Sequence, residues 1–323
     1  MPPKGTSFPE RQKISDEVFK AEFGKLGASG MSRKHGLIVR GINSRRRRIE
    51  MREGVALAPP IRGGHWQQLD KHPSAVKVDI QNGHILIGSD SHYYPGTVST
   101  AHSAFLEFQK EFKPKVIIKN GDEADFPSIS RFTHGWEKRP TVAEEIECVD
   151  AMLGEIEKTS PRARLIWPVG NHDSRLETRI ATAAPELAKM KGVHLRDHFN
   201  PRWEPCFAVF VNDDVVVKHR LKGGMYAPRN NTLYSGKTIV TGHLHSLKVW
   251  PHSDYRGTRW GVDCGTMADP YGPQFSGYTE LGPLDWRSGF VLLTFVKGKL
   301  LWPETIFVSG PGTVQFRGRE WTV

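Results

Sequence analysis

The sequence predicts an α/β fold preceded by a small all-α segment. From about Ala75 onward, short apolar runs of strand length alternate with helical patterns, an alternation that is typical of α/β domains. The preceding part instead shows short helical stretches separated by glycines, and a Pro- and Gly-rich stretch follows it, which marks a loop. We therefore predict a flexible lead-in at 1–13, a basic helical segment at 14–54, a linker at 55–74 and the α/β domain at 75–323.

The composition fits a folded protein. Of the 323 residues, 38% are hydrophobic and 25% are charged, which excludes disorder throughout the chain. No apolar run approaches the ~20 residues that a membrane helix needs, and the N-terminus lacks the hydrophobic stretch of a signal peptide. We expect a cytoplasmic protein with no membrane partner. Three scattered cysteines make neither a disulfide framework nor a metal knuckle, and the sequence predicts no oligomeric state.

The N-terminal segment carries most of the net charge of +10, since residues 1–65 hold 14 Lys and Arg against 6 Asp and Glu. Ser15 is predicted to cap a first helix that ends at Gly24 and Gly27. A second helix is predicted from Ala28 to His35, and a third, basic helix from about Val39 to Arg52. Three short helices with a glycine turn are typical of a helix-turn-helix module.

Four consecutive arginines lie on the predicted third helix. A positive segment attached to a charge-balanced domain favours contact with a polyanion such as nucleic acid. The alternative is a solvated basic segment, because four successive positions span all sides of a helix and cannot all face one groove. The candidate nucleic-acid-binding residues are Arg45, Arg46, Arg47 and Arg48.

The α/β domain is predicted from its apolar runs. One amphipathic helix is predicted from Val142 to Lys158, with apolar residues on a single stripe. A late apolar run, Gly289–Val296, indicates further β structure. The earlier strand-like runs are Ile85–Ile87, Val116–Ile118, Leu165–Val169, Val215–Val217 and Thr238–Val240.

Residues able to bind metal follow each of these five runs. The carboxyl ends of strands in α/β sheets border the crevice where ligands bind, so one site is expected to collect all five segments. Imidazole nitrogens together with carboxylate and amide oxygens suit a pair of divalent cations of borderline hardness. Mn²⁺ is preferred, with Fe, Zn²⁺, Ni²⁺ or Co²⁺ as alternatives. The segments are Asp90-Ser91-His92, Gly121-Asp122-Glu123-Ala124-Asp125, Gly170-Asn171-His172-Asp173, Lys218-His219 and Gly242-His243-Leu244-His245.

These segments, DSH, GDEAD, GNHD, a lone His after a strand and GHLH, resemble the five ordered motifs of the calcineurin-like metallophosphoesterases. The resemblance covers roughly residues 80–300 and is specific, because five motifs occur in the family's order. It implies a four-layer α/β/β/α sandwich and a dinuclear metal centre. The phrases SDSHYYPG, KHRLKGG, TGHLHSLKV and WRSGFVLLTF are similar to a subgroup common in bacteriophages, which implies the host cytoplasm as the location.

The resemblance also implies the role of each site residue. Asp122 bridges the two metals, and the other ligands form two sets: Asp90, His92 and His245 at the first metal, and Asn171, His219 and His243 at the second. This sequence departs from the family at the fourth motif, where Arg220 follows His219 in place of a glycine.

The remaining roles concern the substrate. The resemblance implies that His172 contacts the scissile phosphate and protonates the leaving oxygen, and that Asp125 orients this histidine. Arg175 and Arg220 are expected to contact the substrate phosphate. Expected surface groups outside the ligand set are Glu123, His134 and Asp173.

The predicted activity is hydrolysis of a phosphate ester by a hydroxide that two metal ions activate, with a histidine as general acid. A phosphodiester or nucleic-acid-related substrate is preferred, because a basic segment that binds nucleic acid raises the local concentration of such a substrate. One alternative is a phosphomonoesterase acting on phosphoprotein or nucleotide. Another is a DNA-binding accessory or regulator that uses the phosphoesterase fold as a scaffold.

Overall fold

The computed structural model describes residues 14–57, 73–131, 136, 138–275, 279 and 282–323. The predicted lead-in, most of the predicted linker and His134 lie outside the described residues. The chain divides into two compact units, residues 1–71 and 72–323. No described helix combines the length and the apolar character needed to span a bilayer.

The first unit contains two described helices, α1 (Asp16–His35) and α2 (Val39–Glu53). The Ser15 hydroxyl accepts a hydrogen bond from the N–H of Val18, as the sequence predicts for an N-cap. The predicted break between two helices is a kink within α1, where Gly27 has φ 62° and ψ 177°. The helix-turn-helix assignment stays a prediction.

Apolar side chains from both helices form the small core of this unit. Phe19, Phe23 and Met31 of α1 are buried against Ile42 and Ile49 of α2. Phe19 and Phe23 are four residues apart, and Ile42 and Ile49 are seven residues apart, so each pair lies on one face of its helix.

The second unit contains two mixed β-sheets, and the predicted strands and the long amphipathic helix are confirmed. Short 3₁₀ helices lie at Pro127–Ile129, Pro185–Lys189, Leu195–His198 and Pro273–Phe275. The α-helices are α3 (Thr100–Phe112), α4 (Val142–Thr159), α5 (Ser174–Ala183) and α6 (Ala227–Ser235). The strands are β1 (Ala75–Val78), β2 (Gly83–Gly88), β3 (Val116–Lys119), β4 (Arg164–Pro168), β5 (Trp203–Cys206), β6 (Ala208–Val211), β7 (Val215–Val217), β8 (Thr238–Thr241), β9 (Lys248–Asp254), β10 (Gly257–Asp263), β11 (Gly289–Val296), β12 (Lys299–Leu300), β13 (Glu304–Gly310), β14 (Thr313–Phe316) and β15 (Arg319–Thr322).

The described strands form a nine-stranded and a six-stranded sheet. The larger sheet has the order β15-β14-β13-β11-β2-β3-β4-β5, with β12 added beside β11. Its β2, β3, β4 and β5 are parallel. The smaller sheet has the order β1-β6-β7-β8-β10-β9, in which β7 and β8 are parallel. The carboxyl ends of β2, β3 and β4 therefore lie at one edge of the larger sheet, and those of β7 and β8 at one edge of the smaller.

Two layers of apolar side chains hold the sheets and helices together. Side chains alternate between the faces of a strand, so Leu86 of β2 packs with α3 and α4, while Ile85 and Ile87 pack against the smaller sheet. On the outer face of that sheet α6 packs so closely that a Cβ on Gly261 would lie 1.9 Å from the carbonyl oxygen of Pro228. The layers run α/β/β/α, which confirms the predicted fold class.

Candidate metal centre

The sequence-predicted ligands come together where the central strands end. Two groups of predicted ligands form, each with ligand atoms within 4.8 Å of one another, and a third such group joins His92 to Asp125 and His172. The first is Asp90, His92 and His245; the second is Asp122, His219 and His243. Each group has one carboxylate and two imidazoles, a donor set that suits divalent transition metals.

One hydrogen bond joins the two groups, and each group is also held by a contact of its own. The Asp90 carboxylate accepts a hydrogen bond from the backbone N–H of His243 at 2.8 Å. Nε2 of His245 lies 3.1 Å from Asp90 Oδ1, and Nε2 of His219 lies 3.0 Å from Asp122 Oδ2. The two candidate metal positions are therefore neighbours in one continuous cluster.

The site strains the backbone that carries it. Asp90, His92, Asp122, His243 and His245 all have φ between 38° and 71°, a left-handed region that is unfavourable for residues other than glycine. Each follows a strand end that must turn sharply for its side chain to face the crevice. Such strain concentrates at functional sites.

Two glycines allow the turns to approach each other. A Cβ on Gly170 would lie 2.1 Å from Asp122 Oδ1, and a Cβ on Gly242 would lie 2.4 Å from Asp90 Oδ2. Neither contact is sterically possible, so glycine is required for close packing around both carboxylates.

Buried polar atoms test whether this site fits a metal. Among the described residues, Nε2 of His92, Nε2 of His219 and Oδ1 of Asn171 are buried without a hydrogen-bond partner. Buried polar atoms are normally hydrogen-bonded, and these three belong to predicted ligands. Nδ1 of His219 lies 2.8 Å from the carbonyl oxygen of Asn120 and donates to it, so Nε2 is the ring nitrogen that faces the candidate metal position. The residues fit a bound metal.

In the metal-free site, His219 and Asp122 form a buried charged pair. Burial lowers the pKa of His219, but the carboxylates of Asp122 and Asp90 outweigh it and raise the pKa to about 10. Burial raises the pKa of Asp122, yet nearby histidines, His219 first, hold it well below its usual range. The carboxylate is therefore ionised at neutral pH, as a metal ligand must be.

His172 lies beside the two groups and is held by Asp125. Its Nδ1 is 2.5 Å from Asp125 Oδ1, and its backbone N–H donates to Asp122 Oδ1 at 2.7 Å. Burial lowers the pKa of His172, but the hydrogen bond with Asp125 and the charge of Asp122 give a net rise. Asp125 also lies 3.2 Å from Nδ1 of His92, a contact that the sequence did not indicate.

The predicted phosphate-contacting arginines line the cleft that opens over the cluster. Nη1 of Arg175 donates to the backbone carbonyl of Asp125 at 2.6 Å, and Nη2 lies 3.4 Å from Nε2 of His172. Arg220 is exposed at the cleft wall beside His243.

Two predicted surface groups are buried, which corrects the sequence-based expectation. Asp173 is 0% exposed and accepts hydrogen bonds from the backbone N–H groups of Asp122, Glu123 and Gly170. Glu123 is also 0% exposed and pairs with buried Lys119 at 3.1 Å. Charged residues are usually exposed. Asp173 is buried because its carboxylate accepts from backbone N–H groups 51 and 50 residues earlier in the chain, whereas Glu123 pairs with a lysine only four residues before it.

Sequence reasoning also missed Glu145 of α4. This buried carboxylate accepts hydrogen bonds from the backbone N–H groups of Asp125 and Phe126, at 3.0 and 2.8 Å. It therefore fixes the loop that carries Asp125. The sequence did not indicate that Glu145 is buried, because this residue lies at the boundary between the apolar stripe and the polar face of α4.

The four arginines of α2 differ in their surroundings. Arg45 donates to Asp16 and stacks over Phe19, while Arg46 pairs with Glu50. The other two, Arg47 and Arg48, are exposed. The four arginines therefore lie on different sides of α2, as the sequence indicates.

Comparisons with known proteins give two phage relatives. No protein-family model matches the sequence. The chain is 27% identical to the Gene 54 protein of Mycobacterium phage D29 over 242 residues, which are 68% of this chain and 91% of the relative. It is 25% identical to the Gene 54 protein of Mycobacterium phage L5 over 246 residues, with the same coverage.

Solved structures give distant likenesses. A Vps29 of Entamoeba histolytica, crystallised with zinc, is 14% identical and covers 74% of this chain and 98% of its own, with a TM-score of 0.39. A protein serine/threonine phosphatase of Saccharomyces cerevisiae, described as similar to human phosphatase PP5, is 13% identical, covers 75% and 86%, and has a TM-score of 0.37.

Proposed function

We propose that the chain is a metal-dependent phosphoesterase of the calcineurin-like type, with its catalytic domain at 75–323. The observation that carries the proposal is the convergence of two carboxylate–imidazole groups in which Nε2 atoms of His92 and His219 are buried without a hydrogen-bond partner among the described residues. Asp90, His92 and His245 would hold one metal ion, and Asn171, His219 and His243 a second, with Asp122 between them. Mn²⁺ is the preferred metal.

Bound metal ions would supply Lewis acidity, by polarising the phosphoryl oxygens and making hydroxide available at neutral pH. The chain's own residues do the rest. Arg175 and Arg220 orient the phosphate from the cleft wall. Asp125 holds Nδ1 of His172, so that Nε2 presents a proton to the leaving oxygen.

The reaction is a hydrolysis. The oxygen of water forms a bond to phosphorus while the bond from phosphorus to the leaving oxygen breaks. The leaving oxygen takes the proton of His172, the proton lost by the water passes to solvent, and the histidine regains a proton from solvent. Burial of Asp90, Asp122 and His219 strengthens the electrostatic interactions among them.

We further propose a phosphodiester as the substrate, with nucleic-acid contact by residues 14–54 as a helix-turn-helix-like segment. Exposed Arg47 and Arg48 support this contact most directly, since Arg45 and Arg46 already pair within the helical unit. Arg47→Gln combined with Arg48→Gln is expected to weaken binding of the full chain to duplex DNA and to reduce its dependence on salt. Unchanged binding contradicts this part of the proposal.

The activity is tested with bis-p-nitrophenyl phosphate and p-nitrophenyl phosphate, each with Mn²⁺ and with chelator. Chelator-sensitive turnover that favours the diester supports the proposal, and a preference for the monoester supports the phosphomonoesterase alternative instead. Asp122→Asn is expected to abolish turnover, whereas exposed Asp150→Asn on α4 is the matched control. No turnover and no bound metal by elemental analysis contradict the enzyme and favour a scaffold.

A further inference from the structure

A cleft of about 1030 Å³ extends from the candidate metal centre across the described part of the domain. Three carboxylates line it, and each is already engaged: Asp122 with His219, Asp125 with His172, and Glu145 with backbone amides. The cationic side chains are more numerous, so the cleft favours a ligand with more negative charge than one phosphate. They are Arg131, Lys138, Arg139, Arg175, Arg179 and Arg220.

Helix α5 forms a polar wall of this cleft. Arg175, Thr178, Arg179 and Thr182 line it, at the i, i+3, i+4 and i+7 positions that share one helix face. The opposite face packs into the core through Leu176. The helix therefore directs a row of donors along the cleft, away from the metal centre.

Arg175 and Arg179 differ in what they contact. Arg175 is fixed by the backbone carbonyl of Asp125 and adjoins His172, so it faces the phosphate that reacts. Arg179 lies one helical turn further, ~6 Å along the axis. It is exposed, and no hydrogen bond or ion pair joins it to another described residue. Its guanidinium is available for a second anionic group.

Aromatic side chains lie near the other end of the cluster. The Trp286 ring contacts His245, with centroids 4.4 Å apart, and Phe275 contacts His92 at 5.1 Å. The two rings also contact each other at 5.1 Å, and both line the cleft. A positively charged track combined with aromatic rings is typical of sites that bind single-stranded nucleic acid, because the rings stack on unpaired bases.

We propose that the substrate is a single strand of nucleic acid, and that Arg179 binds the phosphate next to the one that reacts. This inference rests on the phosphoesterase activity proposed above. Arg175 binds the reacting phosphate and Arg179 the neighbouring phosphate one turn along α5. Trp286, whose ring packs on buried Phe275, receives a base beyond the metal centre. Arg179 therefore determines specificity and takes no part in bond breaking.

The first test compares two substrates in the full-length protein with Mn²⁺. Oligothymidylate carries flanking phosphates, whereas bis-p-nitrophenyl phosphate carries none. Arg179→Gln is expected to lower the ratio of kcat/KM for oligothymidylate to that for the small diester about tenfold, mainly through KM. The matched control is Arg162→Gln, an exposed arginine before β4 at the opposite edge of the sheet, which leaves this ratio unchanged. Equal losses on both substrates overturn the inference.

The second test measures binding without turnover. Fluorescein-labelled oligothymidylate and a labelled duplex are titrated with the protein in chelator at several salt concentrations. Arg47→Gln and Arg48→Gln are included in the protein, so that the helical segment does not contribute to binding. The single strand is then expected to bind more tightly than the duplex, and Arg179→Gln is expected to reduce the salt dependence by ~0.7 in log–log slope. Tighter duplex binding by this protein or an unchanged slope overturns the inference.

The two proposals fail in different ways. If the small diester is not hydrolysed by the unsubstituted protein, the proposed activity fails, and the binding test still decides whether Arg179 contacts a strand. If the small diester is hydrolysed but the substrate ratio is insensitive to Arg179→Gln, the activity stands and the inference fails.

Discussion

The carboxylate of Asp173 accepts a hydrogen bond from the backbone N–H of Asp122 at 2.9 Å. The same carboxylate accepts from Gly170 and from Nε1 of Trp167 at 2.9 and 3.0 Å. A residue that holds no metal thus ties the turn after β3 to the turn after β4. The position of Asp122 depends on it.

Asp173→Asn is expected to lower both thermal stability and metal affinity. The amide NH₂ faces N–H donors in place of an oxygen, and a buried donor left unpaired costs about 1–3 kcal/mol. Thermal unfolding and metal titration measure the two effects, with Asp150→Asn as the control. Retention of the melting temperature and of metal affinity would show that the turn does not depend on this carboxylate.

His172→Ala is expected to retain metal and to lose activity according to the leaving group. A general acid contributes typically 10²–10⁴-fold, and most where the departing oxygen is a poor leaving group. Turnover of a series of aryl esters is therefore expected to depend more steeply on leaving-group pKa in the variant. The same loss across the whole series, or loss of metal, is incompatible with a role as proton donor.

Gly170→Ala is expected to disrupt the candidate metal centre, whereas Gly154→Ala is expected to stabilise the fold. Gly170→Ala places a Cβ 2.1 Å from Asp122 Oδ1, so the carboxylate must move, and metal content and turnover fall together. Gly154 lies within α4 with no atom within 4 Å of an added Cβ. Gly154→Ala is expected to stabilise the protein by ~0.5–1 kcal/mol through helix propensity. Urea unfolding and turnover assays of both variants check the contrast.

Glu145→Gln is expected to change how stability depends on pH. Burial, with the charge of Asp125, raises the pKa of Glu145 from 4.5 to about 8 in the fold. A raised pKa means that the contribution of this group is fully present below pH 4.5 and is lost as pH rises through about 8. Glutamine retains an oxygen for the two amides and does not titrate.

The unfolding free energy of the metal-free protein is therefore expected to fall more steeply from pH 5 to pH 8 in the unsubstituted chain than in Glu145→Gln. Urea denaturation at several pH values measures both slopes, and Glu147→Gln on the same helix controls for an ordinary glutamate. Parallel slopes would place the pKa of Glu145 near its usual range.

Much of the fold followed from pattern alone. The run Gly289–Val296 and the amphipathic stripe that begins at Val142 coincide with β11 and α4, because strand and helix periodicities are local properties of the chain. The interruption of α1 at Gly27 also follows from the sequence, because glycine readily adopts the positive φ of 62° found there.

The sequence by itself determined which residues assemble at the candidate centre, since each follows an apolar strand and strand ends meet at a sheet edge. Only the tertiary structure decided which residues support them. Asp173 and Glu145 accept hydrogen bonds from backbone N–H groups in turns that are distant in the sequence. The role proposed for Arg179 depends on its position in the cleft along α5. Burial and hydrogen bonding of polar groups depend on contacts between segments far apart in the chain, which local periodicity does not encode.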